Sequence, residues 1–329
     1  MTVPEEDRLY PWFRDTWDAL VQRVRDDRVP HAVLLTGAPG LGKRALARRL
    51  AHLLLCEASA EHAPCGTCPR CGLLRAGSHP DLHTLMPEDG SRAIRVDAVR
   101  ALGASLGLKS QYGGFRVAIV SPAERMNTSA ANSLLKTLEE PPQGTVLLLV
   151  SDQPSRLPAT IRSRCQLVPL QAPSREAAAE WLEAEGADRE AVELLAVTGN
   201  APLAAVRLQQ EGAGSALGTL VDQLAGVARG QITPVHAASQ WRKEQATLVV
   251  DLLMAVAMDL ARTQGAGVKP RISRLNQLPQ GLDWEKLHGF LDELLEQRRL
   301  ADHPLNTQLV LESLFIRWSD LCPREGIHG

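Results

Sequence analysis

NTSAANSLLKTLEEPPQGTVLLLVSDQPSRLPATIRSRC, residues 127–165, holds a helix, a buried strand and a loop that ends by presenting Arg164. Ala130, Ala131, Leu134, Leu135 and Leu138 recur at spacings of three and four, so one helical face is apolar. Thr128 or Ser129 is expected to cap its start, and Pro141-Pro142 cannot continue it. Val146 to Val150 is an unbroken aliphatic run, the pattern of a strand covered on both faces. Behind it come Arg156, Arg162 and Arg164. Arginines after a core strand read equally as a solvated turn or as a functional cluster.

Working outward, His31 to Leu35 is a second buried strand, followed at once by Gly37-Ala-Pro-Gly-Leu-Gly-Lys43. Strand, glycine loop and helix in that order is the setting in which a phosphate loop is credible. Gly37, Gly40 and Gly42 would let backbone N–H groups face phosphates, with Lys43 as the point charge. The next position should carry a magnesium-binding hydroxyl and carries Arg44 instead. Phe115 to Val120 is a third strand, and it runs into Ser121-Pro122, with Glu124 two positions further on. Proline has no carboxylate, and a serine is a poor substitute for a magnesium-orienting Asp.

Cys56, Cys65, Cys68 and Cys71 are spaced C-x8-C-x2-C-x2-C, with Gly66 and Gly72 permitting tight turns. Four thiolates at such intervals can wrap tetrahedrally around one zinc ion; redox dithiols or free cysteines are the alternative. Cys165 and Cys322 lie far off and read as core or incidental. His79-Pro80-Asp81 reads as a turn entering a short strand, ahead of the Arg-rich segment Ser91 to Val96. Apolar positions Val99, Leu102 and Leu106 then mark a helix.

The 329 residues leave room for two or three domains. Lys+Arg of 36 against Asp+Glu of 38 gives a net charge of −2, so no global basic field points to DNA. Aromatics at 4% argue against a stacking platform for single strands, although Arg44, Arg48 and Arg49 form a local basic face. No apolar run approaches the roughly 18 residues of a membrane span. The opening MTVPEEDRLYPWF does not resemble a signal peptide, so a cytoplasmic protein is expected. Leu9 to Val24 reads as a first helix with aromatic anchors.

LLKTLEEPP, a strand, LPATI and SRC together resemble bacterial clamp-loader ATPases of the AAA+ class, and the resemblance extends over essentially the whole chain. It implies a RecA-like, P-loop-type parallel sheet over residues 1–170, with an inserted structural zinc module at 56–71. It further implies a three-helix lid over 171–210 and a helical oligomerisation collar over 211–329. The family opens on a Tyr-Pro-Trp like Tyr10-Pro11-Trp12, which sets residue 1 near the expected start. In this family the arginine of SRC, here Arg164, is an arginine finger reaching the nucleotide site of the neighbouring subunit. A planar, permanently charged guanidinium stabilises charge on a transferring phosphoryl group.

Ser151 stands where the family places a small polar phosphate sensor, and Pro202 stands where active relatives carry a lid arginine. With Arg44 and Ser121-Pro122, the chain thus keeps what acts on a neighbour and lacks what acts on its own nucleotide. The expectation is a non-motor stator with no activity alone, binding ATP weakly or not at all. Its implied partners are motor ATPase subunits and a delta subunit in a hetero-pentamer of DNA polymerase III. Through that complex it would meet the sliding clamp and primer-template DNA. The alternatives are an active motor ATPase and a zinc-bearing DNA-binding module. The helical C-terminal section, linked through Glu211 to Ser215, reads equally as a collar or as a self-contained domain.

Overall fold

The computed structural model describes residues 8–88, 91, 93–279, 281–300 and 306–322, with the side chain of Arg299 excepted. The acidic start of the chain (residues 1–7) and Arg92 lie outside the described residues. The chain divides into two compact units, Met1–Pro173 and Ser174–Gly329.

In the first unit, a single turn at Pro11–Phe13 leads into α1 (Arg14–Arg25), followed by β1 (Ala32–Thr36) and α2 (Lys43–Leu55). Then come α3 (Pro69–Arg75), β2 (Leu82–Leu85), α4 (Val96–Leu106), β3 (Arg116–Val120) and α5 (Thr128–Glu139). β4 (Thr145–Ser151), α6 (Ala159–Arg162) and β5 (Gln166–Pro169) complete it. The five strands form one parallel sheet in the order β2-β3-β4-β1-β5. β1, β3 and β4 are buried along their full length, as their aliphatic runs predict. The edge strands β2 and β5 are partly exposed, and β5, with no such run, escapes a reading based on hydrophobic pattern.

Strand alternation divides the sheet's two faces. Ala32, Leu34, Ala118, Val120, Leu147 and Leu149 join α4 and α5 in one buried cluster with Val99, Leu106, Leu134 and Leu138. α2 packs against β1, β3 and β4 without contributing to that cluster. The cap of α5 differs from expectation: Asn127, one residue before Thr128, accepts the Ala130 N–H at 2.8 Å. Asn is at least as good a cap as Ser or Thr, because its short side-chain carbonyl reaches the exposed N–H of the first turn. The segment before Cys165, read as loop, contains the helical turn α6.

In the second unit, α7 (Arg175–Ala184), α8 (Arg189–Thr198) and α9 (Pro202–Gln210) occupy the three expected positions. They are followed by α10 (Ala213–Ala228), α11 (Pro234–Ser239), α12 (Ala246–Ala266), α13 (Trp284–Leu300) and α14 (Thr307–Leu321). Glu211 to Ser215 is not a loose linker: α10 already begins at Ala213, just after the left-handed Gly212. α8 packs on α9, α10 and α12, so these helices share one unit. α12 is buried nearly all round at its centre, and the Trp318 indole, fully buried on α14, donates to Leu224 O at 2.9 Å. Among the described residues no single helix is long and apolar enough to cross a membrane.

Candidate functional site

In a parallel sheet every strand points the same way, so strand ends sort into two edges. Thr36 pairs with Ser151 and with Pro169, and Val120 pairs with Leu149. The glycine loop after β1, Ser121 after β3 and Ser151-Asp152 at the end of β4 therefore meet at the carboxyl edge. Arg164 precedes β5, whose Gln166 lies beside Val33, and so belongs to the amino edge. From Val33 to Gly37 the chain advances four residues, about 13 Å at strand rise.

The carboxyl edge assembles the sequence-predicted loop. Gly37 has φ +155°, and a β-carbon there would run into Leu170 O, so the tight approach of the two backbones requires glycine. Gly40 and Gly42 are left-handed at φ +76° and +89°. Trp12, stacked on Tyr10, donates its indole N–H to Leu41 O at 2.9 Å. Lys43 opens α2 and is buried, with 4% of its surface exposed. Its ammonium donates to Gly37 O (2.8 Å) and Ala38 O (2.6 Å) and pairs with Asp152 Oδ1 at 2.5 Å. A lysine has three donors, and these contacts use them all.

The acid nearest to the missing catalytic carboxylates is occupied as well. Glu124 Oε1 accepts the N–H groups of Asp152 (2.9 Å) and Gln153 (3.2 Å), clasping the turn after β4. Ser151 Oγ and Glu124 Oε2 are buried and find no partner among the described residues. A phosphate arriving here would have to displace Asp152 from Lys43 in the presence of a second carboxylate. Pro202 opens α9, and Arg207, further along the same helix, makes a 3.9 Å ion pair with Glu211. Asp152 was not legible in the sequence; its only signal is that it directly follows Ser151.

At the amino edge, Arg164 Nη1 donates to Thr160 O at 3.0 Å and Nη2 pairs with Glu139 Oε1 at 2.7 Å. Its side chain is 37% exposed. Glu139 belongs to the quoted LEEPP run, yet nothing in its spacing gave it a role.

The four cysteines come together between the end of α2 and α3. Cys56 ends α2, Cys65 and Cys68 lie on the following loop, and Cys71 is on α3. All four sulfurs lie within 4.8 Å of one another. Cys56 lies 3.6 Å from Cys65, 4.0 Å from Cys68 and 3.7 Å from Cys71, with Cys65–Cys71 at 3.9 Å. A tetrahedron with Zn–S bonds of about 2.3 Å has edges of about 3.8 Å, so this donor set fits zinc. N–H groups of Thr67 and Cys68 aimed at its sulfur hold the Cys65 thiol down at about 6, whereas burial pushes the Cys71 thiol up to about 12. Of the two flanking arginines, Arg70 and Arg75, the first is engaged internally. It pairs with Glu57 (3.3 Å), donates to Tyr112 O (3.1 Å) and lies over the Tyr112 ring.

Comparison with known proteins places this arrangement in a family. Residues 13–174 match the family model described as DNA polymerase III, delta subunit, and residues 215–320 match its C-terminal counterpart. A DNA polymerase III subunit delta' from Pseudomonas aeruginosa is 39% identical over 326 residues, 95% of this chain and 98% of that protein. The one from Escherichia coli is 35% identical over 328 residues, 94% of this chain and 95% of that protein. Among solved structures, a DNA polymerase III gamma subunit-related protein from Thermotoga maritima aligns over 93% of this chain and 99% of its own. That alignment has a TM-score of 0.45 at 17% identity. With this identity sustained from end to end, the chain belongs to the DNA polymerase III subunit delta' family.

Proposed function

We propose that this chain is the non-motor subunit of a bacterial clamp loader and completes a neighbour's ATP site with Arg164 instead of turning over ATP itself. The observation that carries the reading is the separation of edges. Arg164 stands at the amino edge of the sheet, about 13 Å of strand from its own glycine loop, with its guanidinium held by Glu139 and Thr160. A guanidinium so placed has no phosphate of its own chain to act on. The self-occupied Lys43 and the carboxylate-free Ser121-Pro122 support the other half, a loop that keeps its shape without turnover. In this reading Gly37, Gly40, Gly42 and Lys43 bind ATP weakly or not at all.

The same reading assigns residues 1–170 to the nucleotide-binding-like domain, 171–210 to the lid and 211–329 to the oligomerisation collar. Cys56, Cys65, Cys68 and Cys71 hold a structural zinc that pins the end of α2 to α3 and takes no part in the chemistry. Partners are the motor ATPases and a delta subunit in a hetero-pentamer, acting on the sliding clamp and primed DNA.

The test is steady-state ATP hydrolysis by the chain alone and by the loader reconstituted with clamp and primed DNA. Silence alone, with stimulation in the complex that falls on Arg164→Ala, is expected. Loss of a finger costs on the order of 10³–10⁵ at its own site, so about a third of the complex rate disappears if three sites turn over independently, and more if they act in sequence. Robust hydrolysis by the isolated chain would instead make it a motor.

A further inference from the structure

We propose that Glu139 is the positioning residue for Arg164, fixing the plane and direction in which the guanidinium meets a neighbour's phosphates. The inference rests on the finger reading above and names the residue that makes it effective. Glu139 is the last residue of α5, and its carboxylate holds Nη2 of Arg164 at 2.7 Å while Thr160 O on α6 holds Nη1 at 3.0 Å. Two contacts from two different elements fix a planar fork in orientation as well as in place. Thr160 O accepts one N–H of Nη1, and the Glu139 carboxylate lies against Nη2 as an ion pair, so the two Nη groups are held from different sides.

A second observation points the same way. A carboxylate in the last turn of a helix faces the negative end of the macrodipole and weakens the helix by a few tenths of a kcal/mol or more. α5 nevertheless ends in Glu139, followed by Glu140. A local rule broken without a local gain is what a functional position looks like. Stability does not account for it: Glu139 is 51% exposed and Arg164 37%, and ion pairs so open contribute little. The long arginine side chain would otherwise sample many rotamers, and the pair removes that freedom before the subunits meet.

The experiment uses the reconstituted loader with clamp and primed DNA, and four forms of this chain: unaltered, Glu139→Gln, Arg164→Ala and the double variant. Glu139→Gln is expected to lower the Arg164-dependent part of kcat about threefold to tenfold, with KM for ATP within about twofold. Melting of the isolated chain should stay within about 1 °C, which a packing role would not allow. The double variant should fall no lower than Arg164→Ala alone, because the carboxylate acts only through the arginine. Glu139→Asp should recover part of the loss.

An effect of Arg164→Ala with a silent or accelerating Glu139→Gln would overturn this inference alone. So would additive losses in the double variant. No effect of Arg164→Ala would overturn the finger reading, and this inference with it.

Discussion

Lys43 enters a loop whose carbonyls already face its ammonium, and the third donor closes on Asp152. A lysine kept for phosphate would be expected to leave a donor open to solvent; this one is built into the fold. Lys43→Met is therefore expected to destabilise the first unit by about 1–3 kcal/mol, since it leaves two loop carbonyls and a carboxylate without their partner. Thermal melting checks this. Millimolar ATP with magnesium should leave the melting temperature of the unaltered chain unmoved, because a ligand that binds the native state raises it by mass action. A shift of several degrees that disappears in Lys43→Met would show that the loop still holds nucleotide.

Among the elements, those with a strong internal pattern were legible and those defined by partners were not. β1, β3 and β4 follow from aliphatic runs, and α5 from its apolar stripe, because burial on both faces or on one face leaves a period in the sequence. β5 has no such pattern: this edge strand buries none of its four residues fully, and its apolar Leu167 is 54% exposed. The glycine loop could be read because φ values above zero select glycine, whereas Asp152 and Glu124 act through contacts across the sheet that no local spacing records. The cysteine spacing was legible because the ligands of a tetrahedral site must come close in sequence or by turn.

That module also yields a prediction at the scale of the element. α3 has seven residues, too few to be stable as a helix alone, and buries only Cys71 and Leu74. If zinc holds it, Cys68→Ser should abolish stoichiometric zinc in the purified chain. Amide protection should then be lost through residues 56–76, while the β3 and β4 amides stay protected. Retained protection without metal would mean that the loop folds on hydrogen bonds to sulfur alone.

At the scale of the whole molecule, the question is how a chain with a net charge of −2 meets DNA. Affinity for a duplex comes mainly from phosphates neutralised by Lys and Arg, with release of counterions. Among the described residues, three of the basic groups near the candidate sites are engaged within the chain. Arg70 is held by Glu57 and Tyr112, Arg49 lies over Trp17 at 5.0 Å, and Arg44 has a partner of its own. With no global basic field and with Arg70 engaged beside the cysteine cluster, the isolated chain should bind primed duplex no tighter than ordinary non-specific association, about 10⁻⁴–10⁻⁶ M at physiological salt. Fluorescence anisotropy with labelled primer-template, titrated between about 50 and 200 mM salt, measures both affinity and slope. Weak binding by the chain alone, with tight binding by the reconstituted loader, locates the DNA contact in the assembly. Nanomolar binding by the monomer with a steep salt slope would instead make the cysteine module a DNA-binding element, and zinc removal would then abolish the affinity along with the fold of residues 56–76.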